Sequence, residues 1–315
     1  MKLLITGGAG FIGRWVVAEA LRRGADVWVL DDLSNGRREN LREFGSRIRD
    51  FREGSIGDER ILADLFGRGM DLCLHMAARI NVQDSIDNPR DTFASDVVGT
   101  FNVLQEARAR SVPVLFMSTC MVYERAAGGA IDETHPTRPA SPYAACKLAA
   151  EALTLSYWHA YGLPAVVVRP FNTYGPFQKS NTEGGVVSVF CERALSGRTL
   201  DIFGDGAQTR DLLFVTDCAR FVMDAATSRE ARGTILNAGS GRDVSINDLA
   251  AKICPDPSRI RHVPHIHPRS EIMKLQCDYS RARNLLGWEP AVAIEEGIAR
   301  VTDWLKAEGR GEGRR

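Results

Sequence analysis

The side chains best suited to chemistry are Ser118 and Thr119 and, further on, Tyr143 and Lys147. The hydroxyl pair follows the apolar run 114–117, which is typical of a buried parallel strand, and open α/β sheets place their chemistry at the carboxyl ends of such strands. Tyr143 and Lys147 are four residues apart, so on a helix they lie on one face. A nearby ammonium favours a phenolate, and Tyr143 is therefore a candidate for proton transfer near neutral pH. Taken alone, the Tyr-x-x-x-Lys spacing also fits an ordinary surface pair.

The composition excludes several classes of partner. The chain has 315 residues, with 40 basic and 40 acidic side chains. A chain of this length can bury a large core, and a net charge of zero gives no overall attraction to nucleic acid or to a membrane surface. The seven cysteines include no C-x-x-C pair, and we interpret them as free thiols in a reducing compartment. No apolar stretch approaches the length of a membrane span. We therefore expect a soluble, cytoplasmic protein that binds neither nucleic acid nor membranes.

A strand, a glycine-rich turn and a helix open the chain. The strand covers residues 3–6, the turn 7–13 has the spacing Gly-x-x-Gly-x-x-Gly, and a helical pattern runs over 16–21. In this setting the glycines let the backbone approach a dinucleotide pyrophosphate at the amino end of the helix. The next strand ends in Asp31 and Asp32, close to where an acidic side chain meets the adenosine ribose. A carboxylate accepts from the 2′-hydroxyl and repels a 2′-phosphate, which favours NAD over NADP.

Strand and helix patterns continue to alternate through the first half. Strand patterns near Phe51 and over 71–75 alternate with helical patterns over 61–66 and 89–110. Repeated βα units with right-handed crossovers predict an α/β fold with a Rossmann-type, doubly wound parallel sheet. We interpret His75 as a strand-end residue with satisfied hydrogen bonds, not as a catalyst.

Five motifs occur together in the first half. They are Gly-x-x-Gly-x-x-Gly at 7–13, the loop 31–36, His-Met-Ala-Ala at 75–78, Val-Gly-Thr at 98–100 and Tyr143-x-x-x-Lys147. Together they resemble the extended short-chain dehydrogenase/reductases that act on nucleotide sugars, and the similarity runs nearly end to end. The resemblance implies tightly held NAD, a Thr/Ser-Tyr-Lys catalytic group and transient oxidation of the sugar at C4. Two positions depart from the pattern: Ser55 stands where an Asp usually contacts adenine, and Asp96 where an Asn usually precedes Val-x-Gly-Thr.

The resemblance also assigns site residues. The expected cofactor contacts are Gly7, Gly10, Phe11, Ile12, Gly13, Asp31, Asp32, Ser34, Asn35, Gly36, Ser55, Ile56, Met76, Ala77, Ala78, Tyr143 and Lys147. The expected catalytic positions are Thr119, Cys120, Met121, Tyr143 and Lys147. The expected substrate contacts are Arg79, Asn172, Val187, Leu200, Phe203, Gln208, Arg210 and Arg269.

The second half is expected to form a smaller α/β substrate lobe. We predict an NAD-binding domain over 1–170, a lobe mainly binding the nucleotide sugar over 171–307 with some return to the sheet, and a disordered tail over 308–315. Arg210 lies in Gly-Asp-Gly-x-x-x-Arg-Asp, which matches the family closely, and its planar fork of donors suits a diphosphate. Asp211 is interpreted as a structural partner of that Arg or of the backbone.

The end of the chain gives weaker indications. Arg269 only approximates the family's second phosphate-binding Arg, because it comes one place late and without the usual Gly. His262, His265 and His267 lie in a proline-rich loop with no nearby Cys or carboxylate cluster, so we predict no metal site.

The residues after Thr119 decide which reaction follows C4 oxidation. In the resembling 4,6-dehydratases they are Asp and Glu, whereas here they are Cys120 and Met121, and a methionine cannot transfer a proton. One hypothesis is a 5,6-dehydratase that acts on UDP-N-acetylglucosamine, loses water across C5 and C6 and returns the hydride to C4, with Cys120 as acid or, as thiolate, as base. The Cys-Met pair resembles that of 5,6-dehydratases of tunicamycin-type antibiotic biosynthesis.

Two alternatives stay open. A UDP-sugar 4-epimerase needs no second acid–base pair, because its ketone only rotates and takes the hydride back on the other face; from residue chemistry alone it is the simpler interpretation. A catalytically dead NAD-sensing regulator should have lost Tyr143 or Lys147, and both remain. By analogy with the family, we expect a homodimer formed through the helices after Pro89 and after Tyr143.

Overall fold

Strands and helices alternate along the chain, as the sequence pattern predicts. The computed structural model describes residues 1–124, 128–180, 185–264 and 273–309. Its strands are β1 (Lys2–Thr6), β2 (Asp26–Asp31), β3 (Ile48–Glu53), β4 (Leu72–His75), β5 (Val114–Met117), β6 (Ala165–Pro170), β7 (Asn172–Tyr174), β8 (Leu200–Phe203), β9 (Thr209–Phe214), β10 (Ile235–Ala238), β11 (Asp243–Ser245) and β12 (Ile260–Val263). Its α-helices are α1 (Phe11–Arg22), α2 (Glu59–Gly67), α3 (Val82–Asp87), α4 (Pro89–Phe93), α5 (Gly99–Ala109), α6 (Pro142–Tyr161), α7 (Val186–Leu195), α8 (Val215–Thr227), α9 (Ile246–Ile253), α10 (Ser280–Leu286) and α11 (Ile294–Ala307). Within these described ranges, none of the helices is long and apolar enough to cross a membrane.

Seven strands form one sheet in the order β10-β6-β5-β4-β1-β2-β3, and each neighbouring pair is parallel. The inner strands β1, β4, β5 and β6 are largely apolar and buried, because helices cover both faces of the sheet. α1 and α8 pack on one face around Val17 and Phe221. α2, α5 and α6 pack on the other around Phe66, Leu104 and Tyr157. The predicted Rossmann-type, doubly wound sheet is confirmed.

The second half adds a smaller α/β lobe. β11, β9 and β7 form a three-stranded sheet, and β12 pairs with β8. α7, α9 and α11 pack around them through an apolar core that includes Val187, Leu249 and Leu305. β10 leaves this lobe and pairs with β6 in the large sheet. The division at residue 170 stays a prediction, and both α8 and β10 return from the second half to the large sheet.

Two helical segments carry candidate site residues. α6 begins where Ser141 Oγ accepts a hydrogen bond from a backbone amide of the first turn (3.2 Å) and ends before Gly162, whose φ of 67° favours glycine. The helix predicted over 89–110 is interrupted by a π-helical turn, Ala94–Val98, between α4 and α5. Such turns are rare and occur frequently at functional sites.

Candidate active site

A cleft of about 1450 Å³ is lined by residues from both halves of the chain. All the residues predicted to contact the cofactor line it, and so do the predicted catalytic residues Thr119, Cys120, Met121, Tyr143 and Lys147. Four predicted substrate residues join them: Asn172, Phe203, Gln208 and Arg210. The fold therefore gathers most of the predicted site in one place.

The turn between β1 and α1 requires glycines, because other backbone atoms lie where a Cβ atom would stand. A Cβ on Gly7 would lie 2.8 Å from Ala77 N, and one on Gly13 would lie 2.0 Å from Gly7 O. Gly7 also has a φ of 72°. The turn leads into α1, whose first residues Phe11 and Ile12 line the cleft, so the positive end of the helix dipole opens on it. This cradle fits the pyrophosphate of a dinucleotide.

Two aspartates line the cleft at the end of β2, Asp31 as its last residue and Asp32 directly after it. The buried Asp31 accepts hydrogen bonds from Ala9 N and Leu33 N, each 2.9 Å long, and so ties the loop to the glycine turn. Burial raises the pKa of Asp31. Asp32 is more exposed and accepts a hydrogen bond from Ser34 N (2.9 Å). Carboxylates at this strand end suit the ribose hydroxyls of NAD and disfavour a 2′-phosphate.

His75 ends β4 and is held from both sides. Its Nδ1 lies 2.8 Å from Thr6 Oγ1, and its Nε2 lies 2.9 Å from Thr100 Oγ1. Since the Thr100 hydroxyl donates to the Asp96 carbonyl (2.6 Å), it accepts from His75, which places the ring proton on Nε2. Burial lowers the pKa of His75 to about 3, so the ring is neutral. The predicted structural role of His75 is confirmed.

β5 and α6 bring the candidate catalytic side chains together. Thr119 follows β5, and its Oγ1 accepts a hydrogen bond from Met121 N (3.2 Å), which leaves the hydroxyl hydrogen to donate into the cleft. Tyr143 and Lys147 lie one turn apart on α6, and both are buried. Lys147 Nζ donates to Met117 O at the end of β5 (2.9 Å). The arrangement places a hydroxyl, a phenol and an ammonium around one part of the cleft.

The surroundings of Tyr143 in the folded chain raise the pKa of its phenol and so do not favour the phenolate. Burial raises the pKa of Tyr143 and the Asp96 carboxylate raises it further, while the Thr119 hydroxyl lowers it. Burial lowers the pKa of Lys147, and Asp96 opposes that change. Burial and the Asp96 carboxylate thus oppose the phenolate, and the expectation that Lys147 makes it available near neutral pH stays a prediction.

Cys120 and Met121 form the start of a 3₁₀ turn after Thr119. Cys120 Sγ lies 4.0 Å from Oδ1 of Asn172, a predicted substrate residue. Burial raises the pKa of Cys120 to about 12, although Arg210 lowers it. The sulfur is therefore a thiol at neutral pH, so an acid–base role for Cys120 begins with donation of its proton and not from a resting thiolate.

The remaining predicted substrate residues of the lobe differ in their placement. Gln208 Nε2 donates to Phe203 O (2.8 Å), so both stay at the cleft. Val187 and Leu200 instead have their side chains in the apolar core of the lobe. Asp211 is fully buried and structural, as predicted. It accepts hydrogen bonds from Ser240 N, Ser240 Oγ, Gly241 N and Cys277 N.

Of the two other predicted arginines, Arg79 is described and does not line the cleft. Arg79 Nη2 lies 3.8 Å from Asp32 Oδ2, so its guanidinium sits beside the cofactor loop. Arg269 lies outside the described residues. Of the predicted arginines, Arg210 is thus the one that the structure places in the substrate part of the cleft.

The histidine-rich loop is described only in part. His262 Nε2 lies 3.0 Å from Asn247 Oδ1, whereas His265 and His267 fall outside the described ranges. In the part of the chain that the structure describes, no group of three or more His, Cys, Asp or Glu side chains is placed to hold a metal ion. All seven cysteines are free thiols.

Sequence reasoning missed a buried charge network behind the catalytic helix. The Ser118 hydroxyl donates to Glu151 Oε1, and Arg169 Nε donates to the same oxygen (2.9 Å). Glu151 and Arg169 form an ion pair with side chains 2% and 3% exposed. Glu151 comes four residues after Lys147 on α6, and this helical spacing is the signal that could have identified it.

A second missed feature is the segment 176–179, which joins the lobe to the cofactor side. Pro176 O accepts a hydrogen bond from Trp15 Nε1 on α1 (3.1 Å). Lys179 Nζ donates to Asn35 Oδ1 in the loop after β2 (3.0 Å). Because these partners are far apart in the chain, no local pattern indicates them.

Comparison with known proteins agrees with the geometry of the cleft. Residues 3–239 match the model of the NAD dependent epimerase/dehydratase family. The chain is 36% identical to a UDP-glucose 4-epimerase of Mycolicibacterium smegmatis, over 97% of this chain and 99% of that protein. The structure of Pal from Bacillus thuringiensis is 52% identical, with a TM-score of 0.95 over 98% of this chain and 100% of that one. DesIV, a dTDP-glucose 4,6-dehydratase from Streptomyces venezuelae solved with NAD bound, is 31% identical, with a TM-score of 0.90 over 98% and 97% of the two chains.

The chain therefore belongs to the NAD-dependent epimerase/dehydratase family, whose members act on nucleotide sugars, and NAD is its cofactor. The glycine cradle and the two aspartates at the end of β2 fit that cofactor. Both 4-epimerases and dehydratases occur among its relatives.

Proposed function

We propose that this enzyme is a 5,6-dehydratase that acts on a UDP-hexosamine, UDP-N-acetylglucosamine, in antibiotic biosynthesis of the tunicamycin type. The observation that carries the proposal is the Cys120–Met121 pair, which lines the cleft directly after Thr119. Where a 4,6-dehydratase has two carboxylic acids, this site offers a neutral thiol and a thioether. The resemblance of that pair to 5,6-dehydratases supports the sugar and the product.

The first step is proton removal from the sugar. Tyr143 takes the proton of the 4-hydroxyl, Thr119 donates a hydrogen bond to the same oxygen, and Lys147 supplies the positive charge that a phenolate needs. When bound in the glycine cradle, NAD would supply the redox chemistry at C4, namely reversible hydride transfer. Tyr143 then gives its proton back to the oxygen on C4.

The second step is the loss of water, for which we assign Cys120. The 4-ketone acidifies the hydrogen on C5. Cys120 gives its proton to the departing 6-hydroxyl, and the same sulfur takes the C5 proton, so the thiol is regenerated. The C6–O bond breaks, a C5=C6 bond forms and one water leaves, with no net oxidation of the sugar.

We assign substrate binding to cleft residues from the second half of the chain. Arg210 presents a fork of donors to the diphosphate, and Asn172 contacts the diphosphate or the sugar. Phe203, 41% exposed at the cleft, packs against the base. We propose that Arg269 binds the diphosphate as a second arginine, alongside Arg210.

Incubation of the purified protein with UDP-N-acetylglucosamine, followed by mass spectrometry, tests the proposal. Loss of one water with an alkene proton signal in NMR is the expected result. An unchanged mass with a new C4 stereoisomer shows the 4-epimerase instead, which the epimerase relative favours. Absence of reaction with any nucleotide sugar contradicts both enzymes and leaves the NAD-sensing regulator.

Cys120→Ala separates the two enzyme reactions at the level of one residue. A dehydratase of the proposed mechanism loses its turnover, because the variant has no group to remove the C5 proton or to protonate the departing 6-hydroxyl, whereas an epimerase tolerates the change. Cys146→Ala is the matched control, since that thiol is also buried on α6 but does not line the cleft. Dehydration that continues in Cys120→Ala contradicts the role of this sulfur.

We also propose a homodimer that works in the cytoplasm, where free thiols persist. Phe93, Val98 and Phe101 are 53%, 44% and 43% exposed along the helical run from α4 to α5, an unusual exposure for large apolar side chains. Light scattering on the eluting protein tests it: the native chain elutes as a dimer and Phe101→Arg as a monomer. A monomeric native chain contradicts the proposal.

A further inference from the structure

Asp96 is a buried carboxyl group in the π-helical turn Ala94–Val98, with 1% of its surface exposed. Its Oδ1 accepts a hydrogen bond from Arg79 N (2.8 Å), and its backbone carbonyl accepts one from the Thr100 hydroxyl. Its Oδ2 is buried and has no hydrogen-bond partner among the described residues. Since related proteins usually have Asn here, a charge-bearing oxygen stands where an amide nitrogen is expected.

Titratable groups from three directions face Asp96. α6 packs against the π-helical turn and contributes Tyr143, Cys146 and Lys147. The loop after β4 contributes Arg79, and the turn itself the Ser95 hydroxyl. His75 on β4 is connected through Thr100 and is neutral. Burial raises the pKa of Asp96, and the charges of Lys147 and Arg79 oppose that rise.

The charge of Asp96 acts in two ways on the candidate catalytic pair. It raises the pKa of Lys147, against the burial that lowers it. It also raises the pKa of Tyr143, together with burial. A buried ammonium and a buried carboxylate each need an opposite charge to remain ionised. The amine therefore stays charged more readily, while the phenol keeps its proton more readily.

We propose that Asp96 is a positioning residue that acts through Lys147: its carboxylate is the counter-charge that keeps the buried amine an ammonium, and it opposes the phenolate of Tyr143. The inference rests on the proposed roles of Tyr143 and Lys147 in proton transfer. An Asn at this position keeps the hydrogen bond to Arg79 N but supplies no charge. The residue at position 96 thereby sets the pH range in which the pair works.

Asp96→Asn tests the proposal without turnover. The chain has few lysines, namely Lys2, Lys147, Lys179, Lys252, Lys274 and Lys306, so carbon-13 labelling at lysine Cε gives a simple NMR spectrum in which Lys147→Arg identifies the Lys147 signal. We expect the pKa of Lys147 to fall by about one unit in Asp96→Asn. Asp91→Asn, an exposed change on the neighbouring α4, leaves it in place. An unchanged pKa of Lys147 in Asp96→Asn overturns the proposal.

The pH profile of kcat/KM is the second readout. Both limbs should move to lower pH in Asp96→Asn, because Lys147 and Tyr143 each lose their protons more easily. A merely structural role lowers the rate equally at every pH and contradicts the proposal. If the native enzyme does not turn over UDP-N-acetylglucosamine, the proposed function fails while the NMR titration still decides the role of Asp96. Asp96→Ser serves for both measurements if Asp96→Asn does not fold.

Discussion

The buried pair of Glu151 and Arg169 provides a direct test of how the active site is held. Glu151→Gln removes the negative charge and leaves the Arg169 guanidinium buried without a counter-ion. The two side chains are only 2% and 3% exposed, so water cannot replace the lost partner. Breaking a buried pair of this kind costs about 3–5 kcal/mol of unfolding free energy.

Urea unfolding followed by circular dichroism measures this loss. In a chain of this size about 1 kcal/mol corresponds to ~2 °C in Tm, so thermal unfolding should shift down by roughly 6–10 °C. Glu296→Gln is the matched control, because the pair of Glu296 with Arg300 is half exposed and is worth at most about 1 kcal/mol.

A double variant separates the effect of charge from the effect of shape. Glu151→Leu combined with Arg169→Met removes both charges, and it should regain most of the stability that Glu151→Gln loses. Two results refute the reasoning: a loss below about 1 kcal/mol in Glu151→Gln, or a double variant no more stable than that single variant. We also expect kcat to fall in Glu151→Gln, because Glu151 anchors α6 to β6 through Arg169 and also binds the hydroxyl of Ser118, which follows β5.

Three further predictions concern the cofactor turn, the buried histidine and the candidate base. Gly13→Ala places a methyl group 2.0 Å from Gly7 O. The affinity for NAD, measured by calorimetry, should therefore fall at least about tenfold. Gly67→Ala is the control, because the space around Gly67 is open and the affinity should stay unchanged. Burial lowers the pKa of His75 to about 3, so the unfolded chain binds one more proton than the folded chain between about pH 6.5 and pH 3. Stability should therefore fall with decreasing pH in that window, by up to about 1.4 kcal/mol per unit, and His75→Gln should remove this component in urea unfolding; an equal slope in both proteins contradicts it. Tyr143→Phe should abolish turnover while NAD stays bound, and retained turnover rules out Tyr143 as the base.

Local patterns were sufficient to predict the parts of the fold that depend on neighbours in the chain. Apolar runs gave the parallel strands, and the glycine spacing gave the turn before α1, because each depends on only a few consecutive residues. The four-residue spacing of Tyr143 and Lys147 likewise placed them on one face of α6. Val187 and Leu200 show the limit of this method, since the sequence pattern did not indicate that their side chains lie in the core of the lobe; their contact with the substrate stays a prediction.

Properties that depend on burial or on distant contacts could not be predicted in this way. The proximity of Lys147 indicated an acidic phenol at Tyr143, but burial and the Asp96 carboxylate act in the opposite direction. The π-helical turn that holds Asp96 looks like continuous helix in the sequence. The hydrogen bond between Lys179 and Asn35 joins the two halves of the chain, and no periodicity connects such positions.

β10 has a practical consequence for exchanging parts between related enzymes. It comes from the second half of the chain, yet it forms an edge of the large sheet beside β6. A chain ending at Pro170 would leave β6 with an open edge, and such edges invite pairing with other chains. Grafting the substrate lobe of one relative onto the cofactor half of another therefore requires three splice points, one after β6 and one on each side of the segment from α8 to β10, so that the recipient sheet keeps its own edge strand and the helix that packs beside α1.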